Sequence, residues 1–340
     1  MKKYIIASLL VTLFIGCKEK QKNKEQEKVN PEYVALQQKS VALFGLLPKV
    51  AENPNNPITE EKVALGKKLY FDNKLSKDNT QSCNTCHNLE TYGVDNLSTS
   101  PGNDGNLGTR NSPTVFNAAL HINQFWDGRA EDVEEQAGGP ILNPVEMAMP
   151  SEEEVVKRLS KEEEYNELFK IAFPKDKSPI SYKNIQDAIG AFERKLITPS
   201  KFDDFLEGDV TALTSTEIKG LQLFIDKGCV ACHSGTALGG NMHQKFGIFD
   251  DYWKHTQSEK IDEGKFEVTE KESDKYIFKS PSLRNIAKTY PYFHDGSVYD
   301  LKEAIQIMAK VQLDKEFTTD ELEAIFAFLN SLTGELPDDI

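Results

Sequence analysis

The sequence is short of cysteine, of basic side chains and of long apolar runs, and each shortage excludes a class of protein. Five cysteines in 340 residues are too few for a disulfide-stapled scaffold. Lysine and arginine number 40 against 54 aspartate and glutamate residues, and the net charge of −14 argues against nucleic acid as a partner. No apolar run reaches the roughly 18 residues that a membrane-spanning helix needs.

What is present describes a folded, acidic chain of two domains. Hydrophobic residues make up 39% and charged residues 28%, a balance typical of globular proteins rather than of disordered ones. A chain of 340 residues is longer than a typical single domain with one hydrophobic core, so the length suggests two domains.

The first residues have the layout of an export signal. Lys2 and Lys3 precede an apolar run over residues 5–15, which is followed by Gly16 and Cys17. A cysteine directly after the small residue resembles the lipobox of bacterial lipoproteins, in which this thiol is acylated. The resemblance implies a periplasmic protein that contacts the membrane only through a lipid on Cys17. The alternative is an ordinary export signal with a chance cysteine.

These features divide the beginning of the chain into two segments. Residues 1–16 are expected to be a lipoprotein signal peptide. Residues 17–32 are polar and without apolar periodicity, so we expect a solvated tether.

Two copies of a Cys-x-x-Cys-His motif predict two covalently attached c-type haems. The copies consist of Cys83, Cys86 and His87, and of Cys229, Cys232 and His233. Two thiols three residues apart lie on one side of a helical turn, where they can form thioethers with the two vinyl groups of a haem. The adjacent histidine then points at the iron.

Two other uses of these cysteines fit the pattern less well. A zinc tetrathiolate needs two Cys-x-x-Cys pairs that are usually about 15–20 residues apart, whereas here the pairs begin at positions 83 and 229. A redox dithiol does not require a histidine after both second cysteines.

The surroundings of the two motifs repeat as well. Gly66-x-x-Leu69 precedes the first motif and Gly220-x-x-Leu223 precedes the second. Thr214 and Glu217 have the spacing of a capping box at the start of a helix. The sequence therefore predicts a helix before each haem motif.

Each half also closes with a predicted amphipathic helix. Ile185, Ile189 and Phe192 share one helical face in the first half, and Thr318 and Glu321 cap a helix in the second. A further helix is predicted with Ser151 and Glu154 as its capping box and an apolar face of Val155, Leu159 and Phe169, ending before Pro174.

These elements predict a mainly α fold, with two cytochrome c-like haem domains in tandem and little β structure. We place the N-terminal haem domain at residues 33–200 and the C-terminal haem domain at residues 201–340.

Several ordered motifs resemble those of the bacterial dihaem cytochrome c peroxidases, across nearly all of the mature sequence. They are SCNTCH at 82–87, RNSPTVFN at 110–117, FWDGRA at 125–130, EQA at 135–137, PVEM at 144–147, PSLRN at 281–285 and YFHDG at 292–296. The resemblance implies reduction of hydrogen peroxide to water, with electrons from a small c-type cytochrome or a cupredoxin. It also implies a homodimer.

By this resemblance the N-terminal haem is the low-potential peroxidatic site, and Glu146 and Gln136 match the family's distal pair. Peroxide must move a proton from its inner to its outer oxygen before the bond splits heterolytically. A carboxylate can take and return that proton while an amide holds the peroxide by hydrogen bonds. The alternative is that Glu146 is one more acidic surface residue.

The C-terminal haem would be the high-potential site where electrons enter. The resemblance gives Met308 as its sixth iron ligand, with Met242 as a competitor and core packing as the alternative role. Trp126 matches the tryptophan between the haems, where an aromatic ring shortens the electron's route.

The resemblance also implies a calcium ion between the haems. Asn111, through its side chain, and Thr289 and Pro291, through their carbonyls, match that site, and hard oxygen donors suit calcium.

The chain departs from the family in one loop. Conventional members carry a histidine after the first haem motif that caps the peroxidatic iron in the oxidised enzyme, whereas Asn103 stands at the matching position here. We therefore expect an open or water-bound site even when both irons are ferric. His121, in a stretch that looks helical, is the alternative cap, and a surface or core-edge histidine is its other interpretation.

Two other functions remain open from the sequence. One is a dihaem oxidase of a protein partner, similar to the methylamine dehydrogenase maturation enzymes, although these carry tyrosine where Met308 stands. The other is a non-catalytic dihaem electron carrier, in which Glu146 and Gln136 have no purpose.

Overall fold

The computed structural model describes residues 30–337. The predicted signal peptide, the lipid attachment at Cys17 and the tether up to residue 29 lie outside these residues. Twelve α-helices are formed in the described part: α1 (Pro31–Phe44), α2 (Glu60–Tyr70), α3 (Cys83–Cys86), α4 (Val133–Leu142), α5 (Glu152–Leu159), α6 (Glu163–Ala172), α7 (Tyr182–Glu193), α8 (Lys201–Leu206), α9 (Ser215–Lys227), α10 (Phe266–Thr269), α11 (Leu301–Leu313) and α12 (Thr319–Asn330).

Extended structure is confined, within residues 30–337, to one two-stranded sheet and isolated bridges. Strand β1 (His243–Lys245) pairs antiparallel with β2 (Ile277–Lys279), with His243 opposite Lys279. Short 3₁₀ turns connect the helices at Asn73–Leu75, Leu89–Thr91, Ala118–Leu120, Cys229–Ala231, Tyr252–Lys254 and Glu272–Asp274. The predicted mainly α fold is confirmed. No helix in the described part is both long enough and apolar enough to cross a membrane.

A close helix pair organises each half of the chain, and a glycine makes the close approach possible. In the first half α2 packs on α7, and a Cβ added at Gly66 would lie 1.8 Å from the carbonyl oxygen of Ala188. In the second half α9 packs on α12, and a Cβ added at Gly220 would lie 1.9 Å from the carbonyl oxygen of Ala324. The glycine repeat seen in the sequence is therefore a repeated helix–helix contact.

The predicted helix caps on the second pair are formed. The Thr214 side chain accepts from the amide of Glu217, whose carboxylate accepts from the amide of Thr214. Thr318 and Glu321 make the same reciprocal pair at the start of α12. Each box satisfies amides at a helix end that have no partner within the helix.

The two hydrophobic cores divide the chain differently from the boundary drawn from the sequence. Leu36 and Phe44 of α1 belong to the C-terminal core, and the ring of Phe44 meets that of Phe202 edge-on at 5.5 Å. At the other end of the chain, Leu336 packs against the N-terminal core. Each terminal segment therefore packs against the opposite half of the chain. For α1, the apolar face packs on α8.

The helix predicted from Ser151 to Pro174 is two helices, so that prediction was wrong in part. Ser151 caps α5 as expected, but α5 ends at Leu159 and α6 begins at Glu163. The Ser160 hydroxyl donates to the carbonyl of Val156, and the Asn166 side chain donates to the carbonyl of Ser160. Such local side-chain bonds to the backbone compete with a continuous helix.

Candidate active site

One cavity of about 890 Å³ connects the two halves of the chain. Both Cys-x-x-Cys-His motifs line it. Residues on its walls also include most of the other side chains singled out in the sequence: Trp126, Gln136, Glu146, Met242, Met308, Asn111, Thr289, Pro291 and His121. The fold therefore brings the predicted site residues of both halves to one continuous space.

The first motif is held by local hydrogen bonds and by the N-terminal core. Ser82 and Thr85 form a reciprocal cap at the start of α3, and Cys83 packs against the N-terminal core. The Tyr70 hydroxyl donates to the carbonyl of His87 at 2.6 Å. Burial lowers the pKa of His87, so its imidazole is neutral, which is the form that binds iron.

The second motif is placed in the same way by the C-terminal half. Helix α9 ends at Gly228, whose φ of 102° lets the chain reverse into the turn that carries Cys229. Cys229 packs against the C-terminal core. Burial lowers the pKa of His233 to about 4, so this imidazole is neutral as well.

The donor set fits two covalently bound haems. All four thiols of the motifs are free, and burial raises the pKa of both Cys86 and Cys229 to about 11, so they are neutral sulfurs. Among residues 30–337 no three His, Cys, Asp or Glu side chains cluster as metal ligands, so the four thiols do not form the alternative zinc site. Separate thiol pairs, each followed by a neutral histidine on a shared cavity wall, match haem c attachment.

Glu146 and Gln136 reach the cavity from neighbouring parts of one helix–turn unit. Gln136 lies in α4, whose first turn is capped by the Asp132 side chain. Glu146 lies in the turn that follows, where the Asn143 side-chain amide donates to its Oε1 at 2.9 Å. Burial raises the pKa of Glu146, while the charge of Arg129 and the bond from Asn143 act in the opposite direction.

The loop carrying Asn103 is fixed next to this turn. The Asn103 side chain accepts from the amide of Asp78 at 3.1 Å and from the hydroxyl of Thr80 at 3.2 Å, and it donates to the Asp78 carboxylate at 2.8 Å. Gly102 and Leu107 line the cavity, but Asn103 is not among the described wall residues. The Asn103 amide is therefore used within the loop.

The sequence around His121 suggested a helix, but His121 does not lie in one. It follows the 3₁₀ turn Ala118–Leu120 in extended backbone, because the chain leaves that turn to meet the other half. The amide of Ile122 donates to the carbonyl of Gly240 at 2.8 Å, and the Nδ1 of His121 lies 3.3 Å from the Nζ of Lys279. The side chain of His121 therefore makes its polar contact with Lys279 of the C-terminal half.

Both candidate methionine ligands line the cavity. Met308 lies in α11 and packs against the C-terminal core, with Ala304, Ile305 and Ala309 of the same helix also on the wall. Met242 lies just before β1, and its carbonyl accepts from the amide of Ser280 at 2.9 Å. Both thioethers therefore lie on the same cavity as the second haem motif.

Trp126 is hydrogen bonded to both halves. Its indole nitrogen donates to the carbonyl of Asn111 at 2.9 Å, and its own carbonyl accepts from the amide of Lys279 at 2.8 Å. Its ring meets the ring of His294 edge-on at 6.4 Å. The tryptophan therefore sits where the two halves are joined, with Asn111, Thr289 and Pro291 on the same cavity.

Several charged cavity residues were missed in the sequence, among them Arg129, Glu193 and Lys279. Arg129 stacks over the ring of Phe125 at 3.5 Å and pairs with Asp127 at 2.7 Å. Glu193 is buried at the end of α7, and burial and the charge of Glu134 raise its pKa to about 8. Lys279 is buried at the end of β2. Arg129 could have been found as the cation of the FWDGRA motif, whereas nothing in the sequence marked the other two as buried.

The chain is similar to two family models and to known proteins over most of its length. A family model described as di-haem cytochrome c peroxidase matches residues 60–211, and a cytochrome c model matches residues 218–333. The cytochrome c551 peroxidase of Pseudomonas aeruginosa is 47% identical over 308 residues, which are 89% of this chain and 88% of that protein.

Two further relatives carry a different name. The methylamine utilization protein MauG of Methylorubrum extorquens is 36% identical, with 82% of this chain and 80% of that protein covered. The crystal structure of a MauG-like protein associated with microbial copper homeostasis has a TM-score of 0.76 at 30% identity, and covers 85% of this chain and 94% of that one.

Proposed function

Because the chain belongs to the di-haem cytochrome c peroxidase family and is an enzyme of that type, we propose that it reduces hydrogen peroxide to water with two electrons from a small redox protein. Electrons enter at the C-terminal haem and pass to the N-terminal haem, where peroxide is reduced. The observation that carries the proposal is one continuous cavity, because both haem motifs line it together with the half-buried carboxyl of Glu146 and the side-chain amide of Gln136.

The residues that hold the cofactors follow from the two motifs. Cys83, Cys86 and His87 hold one haem, and Cys229, Cys232 and His233 hold the other. Bound there, the haems supply an iron on which peroxide is reduced and a second iron that stores an electron. Met308 is the proposed sixth ligand of the second iron, and the ring of Trp126 shortens the path between the two.

Glu146 is the proposed acid–base residue. Its carboxylate accepts the proton of one peroxide oxygen and gives it to the other, so that water can leave. The Asn143 amide fixes Oε1, which leaves Oε2 to exchange the proton. Gln136 holds the peroxide by hydrogen bonds through its side-chain amide.

The peroxidatic site is proposed to be open in the fully oxidised protein. The Asn103 amide is committed to Asp78 and Thr80, and an amide binds ferric haem poorly compared with imidazole. Electron paramagnetic resonance of the all-ferric protein should show a high-spin or water-bound component. A purely low-spin spectrum with a bis-histidine signal would remove this part of the proposal.

Stopped-flow mixing of the fully oxidised protein with peroxide tests the reaction. The native protein should react rapidly, and Glu146→Gln should slow the reaction by about 10²–10⁴-fold, the range for loss of an acid–base group. Glu90→Gln is the matched control, because Glu90 is an exposed carboxylate close in sequence to the first motif. Equal rates for Glu146→Gln and Glu90→Gln would refute the role of Glu146.

The electron donor, the calcium ion, the oligomeric state and the location are proposed from the sequence and from the family resemblance. The electron donor is a c-type cytochrome or a cupredoxin, and the net charge of −14 favours a basic one by electrostatic steering. Calcium bound by Asn111, Thr289 and Pro291, a homodimer, and a periplasmic location with a lipid on Cys17 complete the proposal. Absence of turnover with peroxide and a reduced cytochrome would favour the dihaem electron carrier instead.

A further inference from the structure

Lys279 is a buried lysine on the cavity wall. It is the last residue of β2, and only 7% of it is exposed. Its Nζ donates to the carbonyl of Asn123 at 2.7 Å and lies 3.3 Å from the Nδ1 of His121. Burial lowers the pKa of Lys279 to about 7, with the charge of Asp127 acting in the opposite direction.

No carboxylate of residues 30–337 forms an ion pair with Lys279. Asp127 is the acidic residue that influences it, but Oδ2 of Asp127 is taken by Arg110 at 2.5 Å and by Arg129 at 2.7 Å. A buried cation without a counter-charge is strongly unfavourable, and proteins pair such groups. In the polypeptide alone the ammonium form of Lys279 is therefore disfavoured, and an anion placed beside Nζ would stabilise it.

His121 carries a further unused donor on the cavity wall. When Lys279 donates to Nδ1, the proton of the neutral imidazole must be on Nε2. This Nε2 is buried and has no hydrogen-bond partner in the described structure. An ammonium proton of Lys279 is thus unused on the wall, and so is the imidazole N–H of His121, on the side of the ring that faces away from Lys279.

We propose that Lys279 binds a propionate carboxylate of the haem that is attached to Cys229, Cys232 and His233. The assignment to this haem follows from the chain, because Lys279 is two residues before Pro281, whose backbone acts on the imidazole of His233. Propionates are the anionic groups of a haem, and one placed here neutralises the buried ammonium. The inference rests on the haem attachment of the proposed function.

The pairing has a measurable consequence for the potential of this haem. A fixed positive charge near the iron stabilises the ferrous state relative to the ferric state, which carries one more positive charge. Lys279 therefore raises the potential of the site where electrons enter. Its backbone amide also bonds to the carbonyl of Trp126, so the cation lies beside the proposed electron route.

Spectroelectrochemical titration of Lys279→Met, with haem content measured first, tests the proposal. We expect two haems per chain and a shift of the higher potential downwards by about 59 mV, which is a tenfold change in the ferric-to-ferrous ratio for one electron. Lys279→Arg should recover most of the potential because it keeps the charge. Lys245→Met is the control, since Lys245 is exposed on the adjacent strand β1, and it should leave both potentials unchanged.

The outcomes separate this inference from the proposed function. Two haems and unchanged potentials in Lys279→Met overturn the inference alone, and so does a shift confined to the lower potential. One haem or none in the native protein overturns the proposed function itself. Should the methionine variant lose a haem, resonance Raman spectra of the native protein in H₂O and D₂O decide, because propionate bending bands that ignore the exchange would contradict N–H donors.

Discussion

The backbone amide of Asn103 donates a hydrogen bond to the carbonyl oxygen of Glu146 at 2.7 Å. The loop of residues 98–108 is thereby attached to the turn that carries the proposed acid–base residue. Glycine is required beside this bond, because a Cβ added at Gly102 would lie 2.0 Å from the carbonyl of Val145. The loop therefore fixes the backbone of Glu146, and we predict that Asn103 positions this residue.

Removing the Asn103 side chain should loosen this support. Asn103→Ala loses the bonds to Asp78 and Thr80, which we expect to cost about 1–2 kcal/mol of stability. A displaced Glu146 should slow the reaction with peroxide roughly tenfold, measured by stopped flow. Asn106→Ala is the control, because Asn106 is exposed in the same loop. An unchanged peroxide rate in Asn103→Ala would show that the loop does not position Glu146.

The charge of Arg129 should control the pH range in which Glu146 works. Glu146 accepts a proton only when ionised, so the rate constant for peroxide should fall as pH falls through its pKa. Burial raises that pKa and Arg129 lowers it, so Arg129→Gln should move the acidic limb to higher pH. Arg129→Lys keeps the charge and should leave the limb near its native position.

The measurement is the pH profile of the second-order rate constant at two salt concentrations. Arg129 is 39% exposed, so added salt should reduce the difference between the glutamine variant and the native protein. A limb that stays in place in Arg129→Gln would mean that this cation does not act on Glu146. A profile without any acidic limb in the native protein would remove the carboxylate from the proton transfer.

The haem motifs and the helices next to them could be predicted because their signals are local. Cys83 with His87, and Thr214 with Glu217, are each separated by a few residues, and their spacing has one physical meaning. The repeated glycines at 66 and 220 were visible as well, although only the structure shows that each meets a helix backbone.

The missed features depend on contacts between distant parts of the chain. Nothing near Leu36 says that α1 will cover the C-terminal core, and nothing near Lys279 says that it will be buried against His121. The split at Ser160 was missed for a different reason, because the apolar period of α5 resumes in α6. Periodicity detects a shared buried face, but it does not detect a side chain that ends a helix between two such faces.

The choice between Met308 and Met242 as iron ligand can be made spectroscopically. Met308→Leu should abolish the near-infrared charge-transfer band of a methionine–iron bond and lower the higher potential, because thioether ligation favours ferrous haem. Met242→Leu, a matched change on the same cavity, should leave the band intact. The reverse pattern would assign Met242 instead.

The two glycines of the helix pairs should not accept a methyl group without a loss of stability. Gly66→Ala places a carbon 1.8 Å from the Ala188 carbonyl, and this contact is with backbone, so α2 and α7 must separate. We expect a loss of about 1–3 kcal/mol, measured as a lower denaturation midpoint. Gly139→Ala is the control in α4, since its nearest outside atom is a ring carbon of Phe125 at 3.4 Å and alanine favours the helix. Equal midpoints for Gly66→Ala and Gly139→Ala would mean that the close approach of α2 and α7 does not stabilise the N-terminal domain.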